Sequence, residues 1–419
     1  MTILLLAWKS LWNRRLAAGL LLLSIALSSA LLLGVERLRV QARESFTRSL
    51  SGTDLVVGAR SGPVALMLYA VFRIGDATNN IAWRSHQRIA ADPRVAWTVP
   101  LSLGDSHRGY RVLGTNAAYF ERYRTGDDRP LALAAGARFA DVFEAVLGHE
   151  VADRLGYRLG QTIVLAHGAG EVSFVEHDDR PFRVVGILAP TGTPVDRTIH
   201  VPLEGIEALH VDWEGGAPPP GRTRSSEQVR GLDLTPKTIT AILVGLKSRV
   251  ATFAVQRAIN ELPDEPLLAV IPGLALEQLW DIVGVAENAL RLVAAGVLAT
   301  SLAGLVALAL AVLDARRREI AILRALGARP VQVFALVVGE SAIVTLAGAT
   351  LGLVLLQGGV ALLADWILGR FGLVLDTGWP SPTEALMLAA VVASGAAAGF
   401  VPGWRAYRLS LSEGMRLRL

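Results

Sequence analysis

The stretch DARRREIAILRALGARPVQV, residues 314–333, connects two apolar runs, each long enough to cross a membrane. Its 314–329 portion holds Arg316, Arg317, Arg318, Arg324 and Arg329 against Asp314 and Glu319. Read as a helix, it places Ile320, Leu323 and Gly327 on one face, flanked by Ile322 and Leu326, with Arg317, Arg324 and Ala328 on the other. Gly327 is expected to end this helix and Pro330 to start the next, following the preference for glycine just past a helix and proline at its first position. A positive-inside loop accounts for the charge alone. A short basic helix that docks a cytoplasmic partner also accounts for the apolar face, for Glu319 among the arginines and for the sharp stop.

The chain has 419 residues, of which 52% are hydrophobic, and its mean hydropathy is +0.44. That is too apolar for an ordinary soluble protein and points to membrane spans around a soluble domain. The pI near 9.7 reflects arginine, since lysine occurs only at Lys9, Lys237 and Lys247. These positive charges cluster beside the apolar runs, as topology signals do, and no nucleic-acid partner is expected. With no cysteine, disulfides and thiolate metal sites are excluded.

Four apolar runs qualify as spans: Leu16–Val35, Leu292–Leu313, Ser341–Ala364 (begun near Val331) and the shorter, alanine-rich Ala385–Val401. The first run continues through Leu33 without a break, which favours an uncleaved span over a signal peptide cut near Ser28-Ser29-Ala30. Lys9, Arg14 and Arg15, the arginines of the 314–329 connection, and Arg405, Arg408, Arg416 and Arg418 fall on one side if both termini are cytoplasmic. Arg37, Arg39, Arg43 and Arg48 oppose that arrangement unless they sit on a helical stalk. Trp8, Trp12 and Trp404 on one side, with Trp280, Trp366 and Trp379 on the other, suit aromatic belts.

The resulting fold is a membrane α-helical bundle of four transmembrane helices, with a large α+β extracytoplasmic domain inserted between the first and second. Residues 1–39 hold an N-terminal segment and the first span (about 16–35), and residues 40–283 the extracytoplasmic domain. Residues 284–401 hold the second span (about 286–313), the 314–329 coupling helix, the third span (about 331–364) and the fourth (about 383–401). Residues 402–419 form a cytoplasmic tail. Within the domain, strands are expected over Arg94–Val99, Tyr110–Gly114, Thr162–Ala166, Phe182–Leu188 and Thr238–Leu246, and helices over Gly148–Leu159 and residues 253–262. Residues 215–228, GGAPPPGRTRSSEQ, read as a loop.

Catalytic signatures are weak throughout. None of the three lysines follows a glycine, so the chain has no Walker A loop. HEVAD at 149–153 misses the zinc-protease pattern because Asp153 stands where its second histidine belongs, and GESAI at 339–343 lacks the second glycine of a nucleophile elbow. The seven histidines, His86, His107, His149, His167, His177, His200 and His210, show no tight ligand spacing. VEHDD (175–179) and HVDWE (210–214) could offer ligands to a divalent ion, but solvated loop residues are the expectation and no metal site is assigned. Glu340 at the edge of the third span reads equally as a functional intramembrane acid or as a carboxylate paired with arginine. Gly296, Thr300 and Gly304, Gly348 and Gly352, and Gly395 and Gly399 repeat at four-residue spacing, which lets helices approach closely in a tight bundle or at a dimer face.

RRREIAILRALGARPVQVFALVVGESAIVTLAGATLGL (316–353) resembles the C-terminal module of FtsX/MacB-type (type VII) ABC transporter permeases, where a similar stretch links the second and third of four spans. PGWRAYRLSLSEGMR (402–416) looks like that family's closing signature, with Met-Arg in place of Leu-Arg. VVGILAPTGTPVDRTIHVPL (184–203) and VLGHEVADRLGYRLGQTI (146–163) look like its extracytoplasmic domain. The resemblance implies a catalytically inert permease in the bacterial inner membrane, a homodimer bound to two copies of a separate cytoplasmic ABC ATPase that holds the ATP and Mg. It also implies mechanotransmission, in which ATP-driven movement of the helices drives the outside domain. On that reading Arg316, Arg317, Glu319, Ile320, Leu323, Arg324, Leu326, Gly327 and Ala328 dock the ATPase. Gly348, Gly352, Gly395 and Gly399 pack helices at the dimer. Membrane lipids and a periplasmic adaptor or effector are further expected partners, and the substrate stays open among lipoprotein, lipid, peptide and drug. The alternatives are a non-transporting regulator of a cell-wall hydrolase and a metal-handling permease.

Overall fold

β-Branched and aliphatic residues recur through residues 42–282 and there build a mixed sheet, one of two compact units into which the chain divides. The second unit comprises the residues up to Gln41 and those from Val283 onward. The computed structural model describes residues 15–49, 51–126, 128–168, 175–212, 224–371 and 378–408.

Nine strands form the main path of the sheet: β1 (Leu55–Ala59), β2 (Val95–His107), β3 (Tyr110–Thr115), β4 (Leu133–Gly136), β5 (Glu144–Leu147), β6 (Phe182–Leu188), β7 (Thr198–Pro202), β8 (Ala241–Leu246) and β9 (Leu267–Val270). Their order is β9-β1-β8-β2-β3-β7-β5-β6-β4. Only β3/β7 and β5/β6 pair in parallel. The 13-residue strand β2 serves both halves. Its first part pairs with β8, and its second, from Ser102, with β3 through a register shift between Leu103 and Ser106.

Strand β1 reads LVVGA and is buried along its whole length, so both faces of the sheet are covered there. Val56 joins one core with Leu101, Leu243 and Val146. Leu55 and Val57, pointing the other way, join Ile242, Val244 and the Val255 and Ile259 face of the helix Thr252–Asn260. Each such aliphatic side chain contributes about 1.5–3 kcal/mol on burial.

Several expectations are met with shifted limits. The 148–159 helix is confined to His149–Leu155, because Gly156 adopts φ 68° and turns the chain. The 162–166 strand is two short ones, Thr162–Ile163 and Ala166–His167. The 238–246 strand breaks at Thr240, whose hydroxyl accepts from the Leu103 amide at 2.9 Å. Residues 213–223 of the proline-rich loop lie outside the described residues. Its end is not loop: Ser225 and Gln228 form a reciprocal capping box that starts a helix over Ser226–Arg230.

The other unit holds most of α1 (Arg15–Arg48) and of α2 (Pro272–Ala315), then α3 (Arg317–Ala325), α4 (Pro330–Phe371), α5 (Pro382–Ala398) and α6 (Phe400–Arg408). Among the described residues, four helical stretches are long and apolar enough to cross a membrane: Ala18–Glu44, Pro272–Ala315, Pro330–Ala364 and Pro382–Arg408. Helix α2 begins at Pro272, well before the expected start of the second span, because residues 272–285 continue its helical pattern.

The small residues join helices within one chain. A Cβ on Gly348 would meet the side chain of Ile25 at 2.7 Å, and one on Gly352 the carbonyl oxygen of Ala26 at 2.5 Å, so this pair seats α4 against α1. A Cβ on Gly395 would strike Thr345, and one on Gly399 would meet Ser341 at 2.8 Å, so this pair seats the fourth span against α4. Ser24 and Ser28 both hydrogen-bond the hydroxyl of Ser301, at 2.8 and 2.9 Å, tying α1 to α2. Within the chain, the close approach that these glycines permit is used for packing inside the bundle.

Candidate functional site

The 314–329 connection is divided by Arg316. Its backbone (φ −100°, ψ 11°) leaves the path of α2, and α3 restarts at Arg317, so the expected single helix is a nine-residue element docked on the bundle. The Arg316 guanidinium holds that junction, donating to Glu319 at 2.8 Å and to Glu340 at 3.1 Å. Glu340, open between two readings in the sequence, is thus an arginine-paired carboxylate about three turns into α4. Asp314 accepts from Arg317 at 2.8 Å and lies 3.3 Å from Arg405 of α6, so two of the basic segments meet at one end of the bundle.

Ile320 anchors α3, buried with Leu313, Val333 and Ala406. Leu323 lines an adjoining apolar cavity of about 70 Å³ with Leu336, Val337 and Val344. At about 100° per residue, Ile322 and Leu326 fall roughly 200° and 240° from Ile320. They therefore oppose the buried face instead of flanking it, and they are 59% and 81% exposed. Arg317 and Arg324, expected opposite Ile320, lie beside it and are half-buried. The outward face is built of Arg318, Glu319, Ile322, Ala325 and Leu326. Arg318 and Ile322 belong to it although the sequence reading of the docking residues omitted both.

The helix stops where the sequence says. Gly327 adopts φ 100°, its amide donates to Arg324 at 3.1 Å, and the Ala328 amide reaches back to Leu323 at 3.0 Å. This double closure is the Schellman arrangement and needs a left-handed residue at Gly327. Arg329 caps the next helix, its amide donating to Gln332 at 2.8 Å.

At the other end of the bundle, two of the four arginines that opposed the topology, Arg37 and Arg39, have acidic partners. Arg37 makes a bidentate pair with Glu384, at 2.8 and 3.0 Å, and donates to Gln357 at 3.1 Å. Glu36 accepts from Arg39 at 2.6 Å and from Arg291 of α2 at 2.7 Å. Arg43 stacks over the Trp280 ring at 5.2 Å. Trp8 and Trp12 lie outside the described residues.

The near-miss HEVAD helix carries Glu150 buried between Arg154 at 3.1 Å and Arg197 at 3.6 Å. Burial pushes this carboxyl up, against the pull of the two arginines. The expectation of solvated histidines fails at four positions: His86 lies on a helix, His107 and His200 on strands and His177 directly after one, and all four are buried. The His200 ring packs at a tilt against those of Tyr119 and Phe120, at 5.3 and 5.8 Å, and burial drops it to about 3. His86 falls to about 4 for the same reason.

The MacB-like periplasmic core domain matches residues 16–262, more than half of the chain, and the FtsX-like permease C-terminal domain matches residues 291–411. Among solved structures, the periplasmic region of MacB from Actinobacillus actinomycetemcomitans is similar at 12% identity and TM-score 0.35, over 55% of this chain and 94% of that one. The extracellular domain of the noncanonic ABC-type transporter YknZ from Gram-positive bacteria is similar at 14% identity and TM-score 0.30, over 52% of this chain and 98% of that one. A comparison with curated proteins returned no match.

Proposed function

We infer the function of this chain from one premise: it belongs to the FtsX/MacB-type ABC transporter permeases. It is the membrane subunit of an ABC transporter, with a periplasmic-type α+β domain. We propose that α3 is the element through which a separate cytoplasmic ATPase grips it in the inner membrane. The observation that carries this reading is the division of α3 into two faces. Ile320 and the Arg316–Glu340 pair fix one face to the bundle, while Ile322 and Leu326 present apolar surface outward between Arg318 and Glu319. Apolar side chains ringed by charge are what a protein partner covers.

On this reading ATP and Mg belong to the partner, and the permease acts as a dimer that converts ATPase motion into movement of its outer domain. The continuous helices α1 and α2, at 34 and 44 residues, support such coupling. At 1.5 Å per residue they span about 51 and 66 Å, well beyond a hydrocarbon core of about 30 Å. The work performed is export or extraction of a substrate such as a lipoprotein, lipid, peptide or drug.

Glu319→Arg tests the docking reading, since it reverses charge on the outward face and disrupts only a partly exposed pair with Arg316. The expected result is normal insertion with weakened co-purification of the ATPase and loss of its stimulated turnover. Unchanged binding and turnover would overturn it.

A further inference from the structure

We propose that the outer domain binds one zinc ion through Asp105, His167, His177 and His210. The four side chains each bring one ligand atom to a common point, with all four atoms within 4.8 Å of one another. His167 Nδ1 lies 3.1 Å from Asp105 Oδ1 and 3.3 Å from His210 Nε2, and His210 Nε2 lies 3.8 Å from Asp105 Oδ1. A tetrahedral zinc with bonds of about 2.0–2.1 Å needs its ligand atoms about 3.3–3.4 Å apart. The three distances among Asp105, His167 and His210 bracket that value, and the His177 atom lies within 4.8 Å of the other three.

The arrangement is built by the fold. Asp105 and His167 are direct cross-strand partners, since Ala166–His167 pairs with Ser106 and Asp105 of β2. His177 directly follows the strand Val175–Glu176, which pairs with Ala166–His167, and it is buried. His210 is the last residue of the helix Leu203–His210, and its ring meets those of His167 and His177 edge-on at 5.2 and 5.3 Å. His210 Nδ1 lies 2.9 Å from the Ile206 carbonyl oxygen and donates its proton there, which leaves Nε2 with its lone pair toward the cluster. Such an outer hydrogen bond is what orients a ligating imidazole.

The donor set names the cation. Three imidazoles and one carboxylate suit zinc, whereas magnesium and calcium require oxygen ligands. Four protein ligands complete the tetrahedron and leave no position for a reacting water, so the zinc is a structural clamp. It joins the end of β2, a two-stranded ribbon and a helix C-terminus. The proposal stands apart from ATPase docking.

The test uses the full-length chelator-treated protein in detergent, with zinc chloride titrated by calorimetry and cobalt(II) as a spectroscopic substitute. One zinc per chain should bind, and cobalt should give the intense visible bands of tetrahedral coordination. Asp105→Asn and His177→Ala should weaken zinc binding about 100-fold or more. Both residues are buried, so His167→Ala at the exposed member is the deciding variant, with its metal-free melting temperature as the folding check. It should melt as the parent does without zinc and lose the rise in melting temperature that zinc gives the parent. His149→Ala, at an exposed histidine outside the cluster, should bind as the parent does. Absence of stoichiometric binding, or equal affinity in His167→Ala and the parent, would overturn the site.

Discussion

Arg37 and Glu384 form a two-pronged ion pair, at 2.8 and 3.0 Å, with both side chains almost wholly removed from solvent. Glu384 also completes the capping box of α5 with Ser381, so one carboxylate starts the fourth span and fixes it to α1. Arg37 is one of the arginines that count against the topology when charges are tallied along the sequence, and in the folded chain it is buried and paired.

Breaking this pair should cost more than removing it. Arg37→Met leaves a buried carboxylate without its counter-charge and should destabilise the protein by about 3–5 kcal/mol. The double substitution Arg37→Met with Glu384→Met should recover part of that loss, less the cap. Thermal unfolding in detergent measures both; a single variant as stable as the parent would contradict the account.

The glycines of α4 should prove to be folding residues. Gly348→Leu or Gly352→Leu drives side-chain atoms into Ile25 or the backbone of Ala26 and should cost about 1–3 kcal/mol or more within each chain. The expected signature is a lowered melting temperature whatever the oligomeric state. A variant that merely separates into stable monomers would restore the dimer reading.

Gly327 should tolerate no side chain without loss, because φ 100° is a left-handed position. Gly327→Val should strain or unwind the end of α3 and reduce ATPase stimulation more than Ala315→Val, at an exposed position on the ordinary helical backbone of α2. Equal effects would show that the sharp stop is not needed.

The outer domain should weaken in mild acid. His200 and His86 sit at about 3 and about 4 in the folded protein because burial disfavours their charged forms. The unfolded chain takes up these protons near pH 6.5, so the stability they allow is complete above that value and is lost as pH falls toward 4. Hydrogen exchange in β5 and β7 at pH 7 and pH 4.5 reads this directly. Unaltered protection would contradict the burial of His200.

What the sequence disclosed followed distance along the chain. Gly327 and Pro330 punctuate α3 legibly because caps are local, and Phe182–Leu188 is legible because Phe182, Val184, Val185, Ile187 and Leu188 crowd seven residues. Four-residue spacing marks Gly348 and Gly352 as points of close approach, but nothing local says that Ile25 and Ala26 will fill them. Asp105, His167, His177 and His210 come from separate elements and have no spacing to recognise. The outward position of Ile322 and Leu326 was available from helical geometry once Ile320 was known as the anchor. Which apolar residue docks on the bundle is a tertiary fact.

The most direct measurement exploits the absence of cysteine from the chain. Leu326→Cys on the outward face of α3 and Trp379→Cys in the connection before α5 each place one thiol at an exposed position. With a short thiol-to-amine cross-linker in membranes containing the ATPase, the account predicts a permease–ATPase adduct at Leu326→Cys and none at Trp379→Cys. An adduct at Trp379→Cys, or none at Leu326→Cys in any nucleotide state, would contradict it.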